Sequence, residues 1–343
     1  MHPFSFSEAR NVADAVRQAA SQPGARFLAG GTNLVDLMKA GPENPPLLID
    51  INPVEALTSI EVNEAAGVLR LGALARMSDV AAHADVRKRF PALSESLLFA
   101  ASGQLRNMAS VGGNLLQRTR CYYFRDRHLP CNKREPGSGC GAIDGENRHL
   151  AVLGTSRHCI ANYPGDFAVA LAALDGVVHT TGINGDRAIP AAELHRLPGD
   201  TPHIETVLEP GELITALEVP FSRCAQFSHY LKIRDRQSFE FASVSVAAAA
   251  ETDSDLIVRQ ARLALGGLAT RPWRAREAEA LLAGHRVDDV GVLAAVADAA
   301  LDGAQPQSQN AFKIVQAKAA IRRAFETVAQ MASGDADDEW STA

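Results

Sequence analysis

The 343-residue sequence has no apolar run approaching the roughly 18 residues of a membrane-spanning helix, so no span is expected. It has no basic excess. Lys and Arg number 34 against 40 Asp and Glu, a formal net charge of −6, which argues against nucleic acid as the main partner. Cysteine is scarce and odd in number, at five, so a disulfide framework is not expected. The opening stretch, MHPFSFSEARNVADAVRQAA, lacks a basic leader followed by an apolar segment and a small-residue cleavage site. It is therefore not read as a signal peptide, and a cytoplasmic location is expected unless something else carries the chain. There is no Ser-His-Asp pattern, nucleophile elbow or carboxylate pair to suggest hydrolysis. The ten histidines are scattered, with no metal-ligand spacing, and no internal repeat is visible.

What is present is an ordinary globular composition, 46% hydrophobic and 22% charged, with length for two or three domains. Residues 7–21 predict an amphipathic helix opened by Ser7 and Glu8. A short apolar strand then meets Gly30-Gly31, and a helix follows. PPLLIDI and residues 67–76 predict strands, and residues 78–102 predict helices with Ser78 as a cap. DFAVALAALDG predicts a helix, and VVHTTG and GELITALEVP predict strands. A boundary is expected near Pro220 to Gln226. Beyond it come two strand candidates, FASVSVAAAAE and RQARLALGGLA, and three helices. Strands and helices intermix without regular alternation, which predicts α+β subdomains rather than one doubly wound sheet.

Two glycine turns carry candidate chemistry. AGGTNL, Ala29 to Leu34, joins paired glycines to the side-chain donors of Thr32 and Asn33, and such a turn can aim several N–H groups at a pyrophosphate. It has neither the G-x-G-x-x-G spacing nor the G-K-[ST] ending of the common phosphate loops. A plain strand-to-helix turn needing positive φ is the simpler reading of this loop alone. SVGGNLL, Ser110 to Leu116, repeats the pattern, and two such loops from separate subdomains would clamp an extended dinucleotide.

The third feature is RTRCYYFRDRHLPCNKREPGSGC, Arg118 to Cys140. It holds three cysteines and six basic residues and has no hydrophobic period. With Cys159 the spacing is C-x9-C-x8-C-x18-C, not the tight C-x2-C of zinc ribbons or bacterial ferredoxins. Four thiolates gathered from an irregular loop can hold a cubane iron–sulfur cluster, and a structural zinc is the rival reading. Arg118, Arg120, Arg125, Arg127, Lys133 and Arg134 are expected to offset a cluster's negative charge. Cys224 stands apart and is read as a packed or surface thiol. Asp166, before a helix, is either an N-cap or a carboxylate for a ligand's ribose or adenine side. KIRDRQSFEFA, Lys232 to Ala242, is either a solvated edge strand or a charged wall near a redox ring.

Taken together, AGGTNLVDLMK, SVGGN, the PGD before an apolar helix and KIRDRQSFEFASVSVA resemble the FAD-binding subunits of the xanthine dehydrogenase family, the molybdenum hydroxylases. The cysteine-bearing insertion narrows this toward the flavin and iron–sulfur subunit of bacterial periplasmic aldehyde oxidoreductases. The resemblance implies a two-subdomain FAD-binding module of the PCMH type, as in vanillyl-alcohol oxidase-like flavoproteins, followed by a C-terminal α+β domain with a small sheet and helices. It divides the chain into 1–60, 61–222 with the insertion at 118–159, and 223–332, and leaves 333–343 as an expected disordered tail. It implies that Ala29, Gly30, Gly31, Thr32, Asn33 and Leu34 bind the FAD pyrophosphate together with Ser110, Gly112, Gly113 and Asn114. Asp166 would contact FAD, Lys232 would lie near the flavin, and Cys121, Cys131, Cys140 and Cys159 would hold a [4Fe–4S] cluster. No catalytic side chain is implied. A molybdenum-cofactor large subunit and a [2Fe–2S] small subunit would be partners, in a heterotrimer or its dimer, with electrons leaving FAD to an external acceptor. Periplasmic location would follow if a signal-bearing partner exports the complex. A stand-alone flavin oxidoreductase and a zinc-stabilised assembly module are the competing readings.

Overall fold

The computed structural model describes residues 1–334. Of the expected tail, residues 335–343 lie outside the described residues, and Ser333 still belongs to the last helix.

Three sheets follow one another along the chain. Strands β1 (Ser5–Glu8), β2 (Arg26–Leu28) and β3 (Leu47–Asp50) form a parallel sheet in the order β1-β3-β2, with helices Val12–Ser21 and Leu34–Ala40 as crossovers. Strands β4 (Ile60–Asn63), β5 (Val68–Gly72), β6 (Val177–Gly182), β7 (Gly185–Pro190) and β8 (Leu213–Pro220) form an antiparallel sheet, β4-β5-β8-β6-β7. The segment between β5 and β6 holds five short helices, the cysteine insertion and the apolar helix Phe167–Ala173. The third sheet is antiparallel, β12-β11-β10-β9, built from β9 (Ser228–Ile233), β10 (Val244–Thr252), β11 (Val258–Gly266) and β12 (Trp273–Arg274).

Strand β10 explains why the parts pack as one body. Its first seven residues are all buried. The two-residue period sends Ala247 and Ala249 into the core shared with helix Phe167–Ala173, and Val246, Ala248 and Ala250 into the core under helix Phe312–Ser333. A strand covered on both faces needs small apolar residues throughout, and the run VSVAAAA supplies them.

Local expectations fail where tertiary pairing wins. Ser7 and Glu8 do not open a helix: they pair with Ile49 and Asp50 in the parallel sheet. The helix begins at Val12, capped by Asn11, whose side chain accepts from the Asp14 amide. Ser78 lies inside helix Met77–Ala82, and Arg76 occupies the cap position. SVGGNLL is a one-turn helix, Val111–Leu115, capped by Ser110, whose Oγ accepts from the Gly113 amide at 3.2 Å.

Between Arg118 and Cys159 the chain has a single helical turn, Tyr122–Arg125, and isolated bridges at Cys131–Cys140 and Ser156–Cys159. Its own core is small: Leu37, Phe124, Ala142, Leu150, Ile160 and Ala161 pack with Cys121, Cys131 and Cys159, and Cys140 packs against them half-buried.

Candidate functional site

The first glycine turn lies between β2 and helix Leu34–Ala40. Gly31 sits at φ +69°, in the left-handed region, and Gly30 has no room for a side chain: a Cβ there would stand 1.9 Å from the carbonyl oxygen of Met108. That contact is informative, because Met108 lies two residues before Ser110. The two glycine turns, 80 positions apart from Gly30 to Ser110, therefore press against each other.

Their polar groups are unevenly used. Among the described residues the backbone N–H groups of Gly30, Gly31, Thr32 and Asn33 have no hydrogen-bond partner. The side-chain Nδ2 of Asn33 is buried and unpartnered, although its Oδ1 accepts from the Arg118 amide at 3.0 Å. In the second turn the amides of Gly112 and Gly113 are already engaged, by the Ala73 carbonyl at 2.9 Å and by Ser110 Oγ. What that turn leaves open is Asn114 Oδ1, again buried without a partner. Buried polar groups are nearly always satisfied, so orphans on two abutting turns mark a place built for a polar ligand.

The four insertion cysteines gather at one place. Cys121, Cys131, Cys140 and Cys159 all line a small cavity roofed by Tyr123, Phe124 and Pro130. Burial pushes the Cys121 thiol up to about 12 and the Cys159 thiol up to about 11. Neither is a thiolate at neutral pH without a metal to favour that form. Among the described residues no three His, Cys, Asp or Glu side chains stand close enough to hold one metal ion. Cys224 is remote, 2% exposed, with its thiol also pushed up to about 12 by burial. It is a packed residue.

The insertion's basic residues do not all face the cysteines. Arg118 donates from Nε to Glu205 at 2.7 Å and from Nη1 to Glu43, and stacks over Phe124. Lys133 donates to Glu205 at 2.6 Å, Arg125 pairs with Asp36 at 2.8 Å, and Arg134 donates to the carbonyls of Tyr123, Phe124 and Leu129. Arg118, Arg125 and Lys133 are thus held by acids outside the run, and Arg134 by carbonyls within it. No sequence signal singled out Glu43 or Glu205, because both lie in irregular stretches.

Asp166 is not a cap. It occupies the N-cap position of helix Phe167–Ala173 but makes no cap hydrogen bond. Its carboxylate is 4% exposed, with Oδ1 accepting from Tyr230 Oη and Oδ2 from Lys232 Nζ, both at 2.8 Å. Burial pushes its carboxyl up, against the pull of Lys232. Lys232 also donates to the Phe99 carbonyl at 3.0 Å. The KIRDRQ edge is thus only partly solvated. Arg234 stacks over Phe99 and Arg120 over Phe241, and Arg120 Nη1 is buried with no hydrogen-bond partner. His195, one of the scattered histidines, is also buried: its Nε2 meets the Leu115 carbonyl at 2.8 Å, Tyr163 Oη donates to the same oxygen, and burial drops the imidazole to about 4.

Comparison with known proteins identifies the family. Residues 2–222 match the FAD binding domain in molybdopterin dehydrogenase, and residues 229–328 match the CO dehydrogenase flavoprotein C-terminal domain. The chain belongs to the FAD-binding subunits of the molybdopterin dehydrogenases. It is 48% identical over 319 residues to the aldehyde oxidoreductase FAD-binding subunit PaoB of Escherichia coli K12, covering 93% of this chain and 96% of that one. It is 23% identical to the glyceraldehyde dehydrogenase medium chain of Sulfolobus acidocaldarius over 84% of this chain and 85% of the relative. Its fold is that of solved members of the family. A reconstituted CO dehydrogenase from Oligotropha carboxidovorans matches with a TM-score of 0.75 at 21% identity, covering 96% and 98% of the two chains. Quinoline 2-oxidoreductase from Pseudomonas putida 86 matches with 0.74 at 23%, covering 97% and 99%. Membership in this family supports FAD as a cofactor of this chain. Among the described residues no helix is long and apolar enough to cross a membrane.

Proposed function

We propose that this chain is the FAD- and [4Fe–4S]-carrying electron-transfer subunit of a molybdenum-dependent aldehyde oxidoreductase. The observation that carries the reading is the abutment of the two glycine turns, with four unpartnered amides and the orphaned Asn33 Nδ2 and Asn114 Oδ1 between them. The first turn, Ala29 to Leu34, is the donor jaw: its amides and Asn33 Nδ2 bind the pyrophosphate. The second turn, Ser110, Gly112, Gly113 and Asn114, is the steric jaw. Its glycine amides are engaged internally, so it contributes close approach and the Asn114 side chain. Asp166 and Lys232 act as one ion pair that braces the wall of the site between helix Phe167–Ala173 and β9. When bound, the flavin supplies the redox chemistry, and these residues supply position and electrostatics.

Cys121, Cys131, Cys140 and Cys159 would hold the cluster. A cubane gives each sulfur its own iron, whereas a zinc ion needs all its sulfurs in one coordination shell. Four cysteines lining one cavity supply the four sulfurs that a cubane requires. The likeness to an aldehyde oxidoreductase subunit supports an aldehyde as the substrate of the complex, oxidised on a molybdenum-bearing large subunit. A [2Fe–2S] small subunit would deliver the electrons to FAD, and an external acceptor would take them. Three structural units at 1–60, 61–222 and 223–332 are the working division for constructing variants.

The test is reduction by substrate. Adding an aldehyde to the assembled complex is expected to bleach the flavin absorbance within turnover time, and adding it to the isolated chain is expected to leave the flavin oxidised. Rapid bleaching of the isolated chain would show a stand-alone flavin enzyme instead.

A further inference from the structure

We propose that Arg118 is the positioning residue through which the cysteine insertion sets the affinity of the chain for FAD. This rests on the reading that the first glycine turn binds the cofactor. The turn has little rigid support of its own, since the helix that follows it spans only Leu34–Ala40. What it rests on is the insertion. The Arg118 amide donates to Asn33 Oδ1 and so fixes which way the orphaned Nδ2 points. Leu37, one turn further on, is 1% exposed and packs in the core that holds Cys121, Cys131 and Cys159. Asp36 is held by Arg125 through two hydrogen bonds, at 2.8 and 3.0 Å.

Arg118 is the joint of this arrangement. Its guanidinium spans Glu43, which follows the same helix, and Glu205, and Glu205 also receives Lys133, two residues beyond Cys131. The face of the guanidinium lies 4.4 Å from the centroid of Phe124, which is fully buried among the cysteines. Bridging two separate carboxylates from one plane while stacking on a ring needs arginine and not lysine. A chain with so little regular structure between Arg118 and Cys159 takes its shape from whatever joins its thiols. Anything that loosens that shape moves Arg118, and with it Asn33. Coupling of this kind is reciprocal: bound FAD must in turn protect the insertion.

The experiment uses the full chain in three forms, Arg118→Met, Arg118→Lys and, as a control, Arg262→Met, which loses an ion pair to Asp175 and no hydrogen bond to the glycine turns or the insertion. FAD is titrated into flavin-stripped protein, and iron is counted in the same samples. R118M is expected to bind FAD roughly tenfold more weakly at unchanged iron content, the scale of coupling within one hydrogen-bond network. R118K is expected to fall between R118M and the unsubstituted chain, and R262M to bind as the unsubstituted chain does. Excess FAD is expected to slow the loss of iron to a chelator in the unsubstituted chain, and not in R118M. Equal FAD affinity in R118M, R118K and R262M overturns the coupling, as does iron loss indifferent to FAD. If the unsubstituted chain binds no FAD at all, the cofactor reading itself fails, which separates the two results.

Discussion

At the scale of single residues, two features bear on the proposed FAD site. The first is steric. With Gly30 against the Met108 carbonyl, any Cβ would force the two turns apart. Gly30→Ala is expected to abolish retention of FAD through gel filtration while the rest of the chain keeps its secondary structure, measured by flavin absorbance and circular dichroism on the same fractions. The second is the buried pair of Asp166 and Lys232, whose side chains are 5% and 2% exposed. A pair this deep gains little over apolar neighbours, but breaking it leaves a charge without a partner. Lys232→Met alone is expected to destabilise by about 3–5 kcal/mol in urea unfolding, and D166N/K232M by clearly less. A double variant as unstable as the sum of the two single ones would show that the pair does not act as a unit.

At the scale of elements, helix Phe312–Ser333 ties the C-terminal half to the cysteine insertion. Lys313, in its first turn, is buried and donates to the carbonyls of His149, Leu150 and Gly267 at 3.1, 3.1 and 2.7 Å. Burial lowers its amine to about 7, from 10.5 when free. Between those values the unfolded chain holds a proton that the folded one does not. Stability therefore rises with pH from about 7 toward 10.5, and below about 7 both forms are protonated and the cost is constant. Lys313→Met is expected to flatten this slope, read as a smaller gain in urea midpoint from about pH 7 to about pH 9. An unchanged slope would assign the titration to other groups. The element order was largely legible in the sequence because periodicity reports burial. The long helix shows it, with Ala317, Ala320, Ile321, Ala324, Phe325 and Val328 repeating at three and four. Ser7 and Glu8 misled because a start signal is local, while their pairing with Ile49 and Asp50 spans both crossover helices.

At the scale of the whole molecule, two cores share one sheet, and two glycine turns far apart in the chain meet. Residue types pointed to the glycine turns and to the four cysteines, because those chemistries need glycine and thiol. The parts that stayed hidden are the ones made by folding: the engagement of the Gly112 and Gly113 amides, the capture of Asp166 by Tyr230 and Lys232, and the Glu43–Arg118–Glu205 tie. No local pattern encodes the partners of Asp166 or of Arg118, which lie 64 or more positions away.

The central claim is that one chain carries both FAD and a four-iron cluster. It is tested most directly by measuring flavin, iron, acid-labile sulfide and zinc on a single purified sample. Stoichiometric FAD with about four irons and four sulfides per chain and little zinc is expected. FAD accompanied by stoichiometric zinc and no sulfide, or a metal-loaded chain that takes up no flavin, would contradict it.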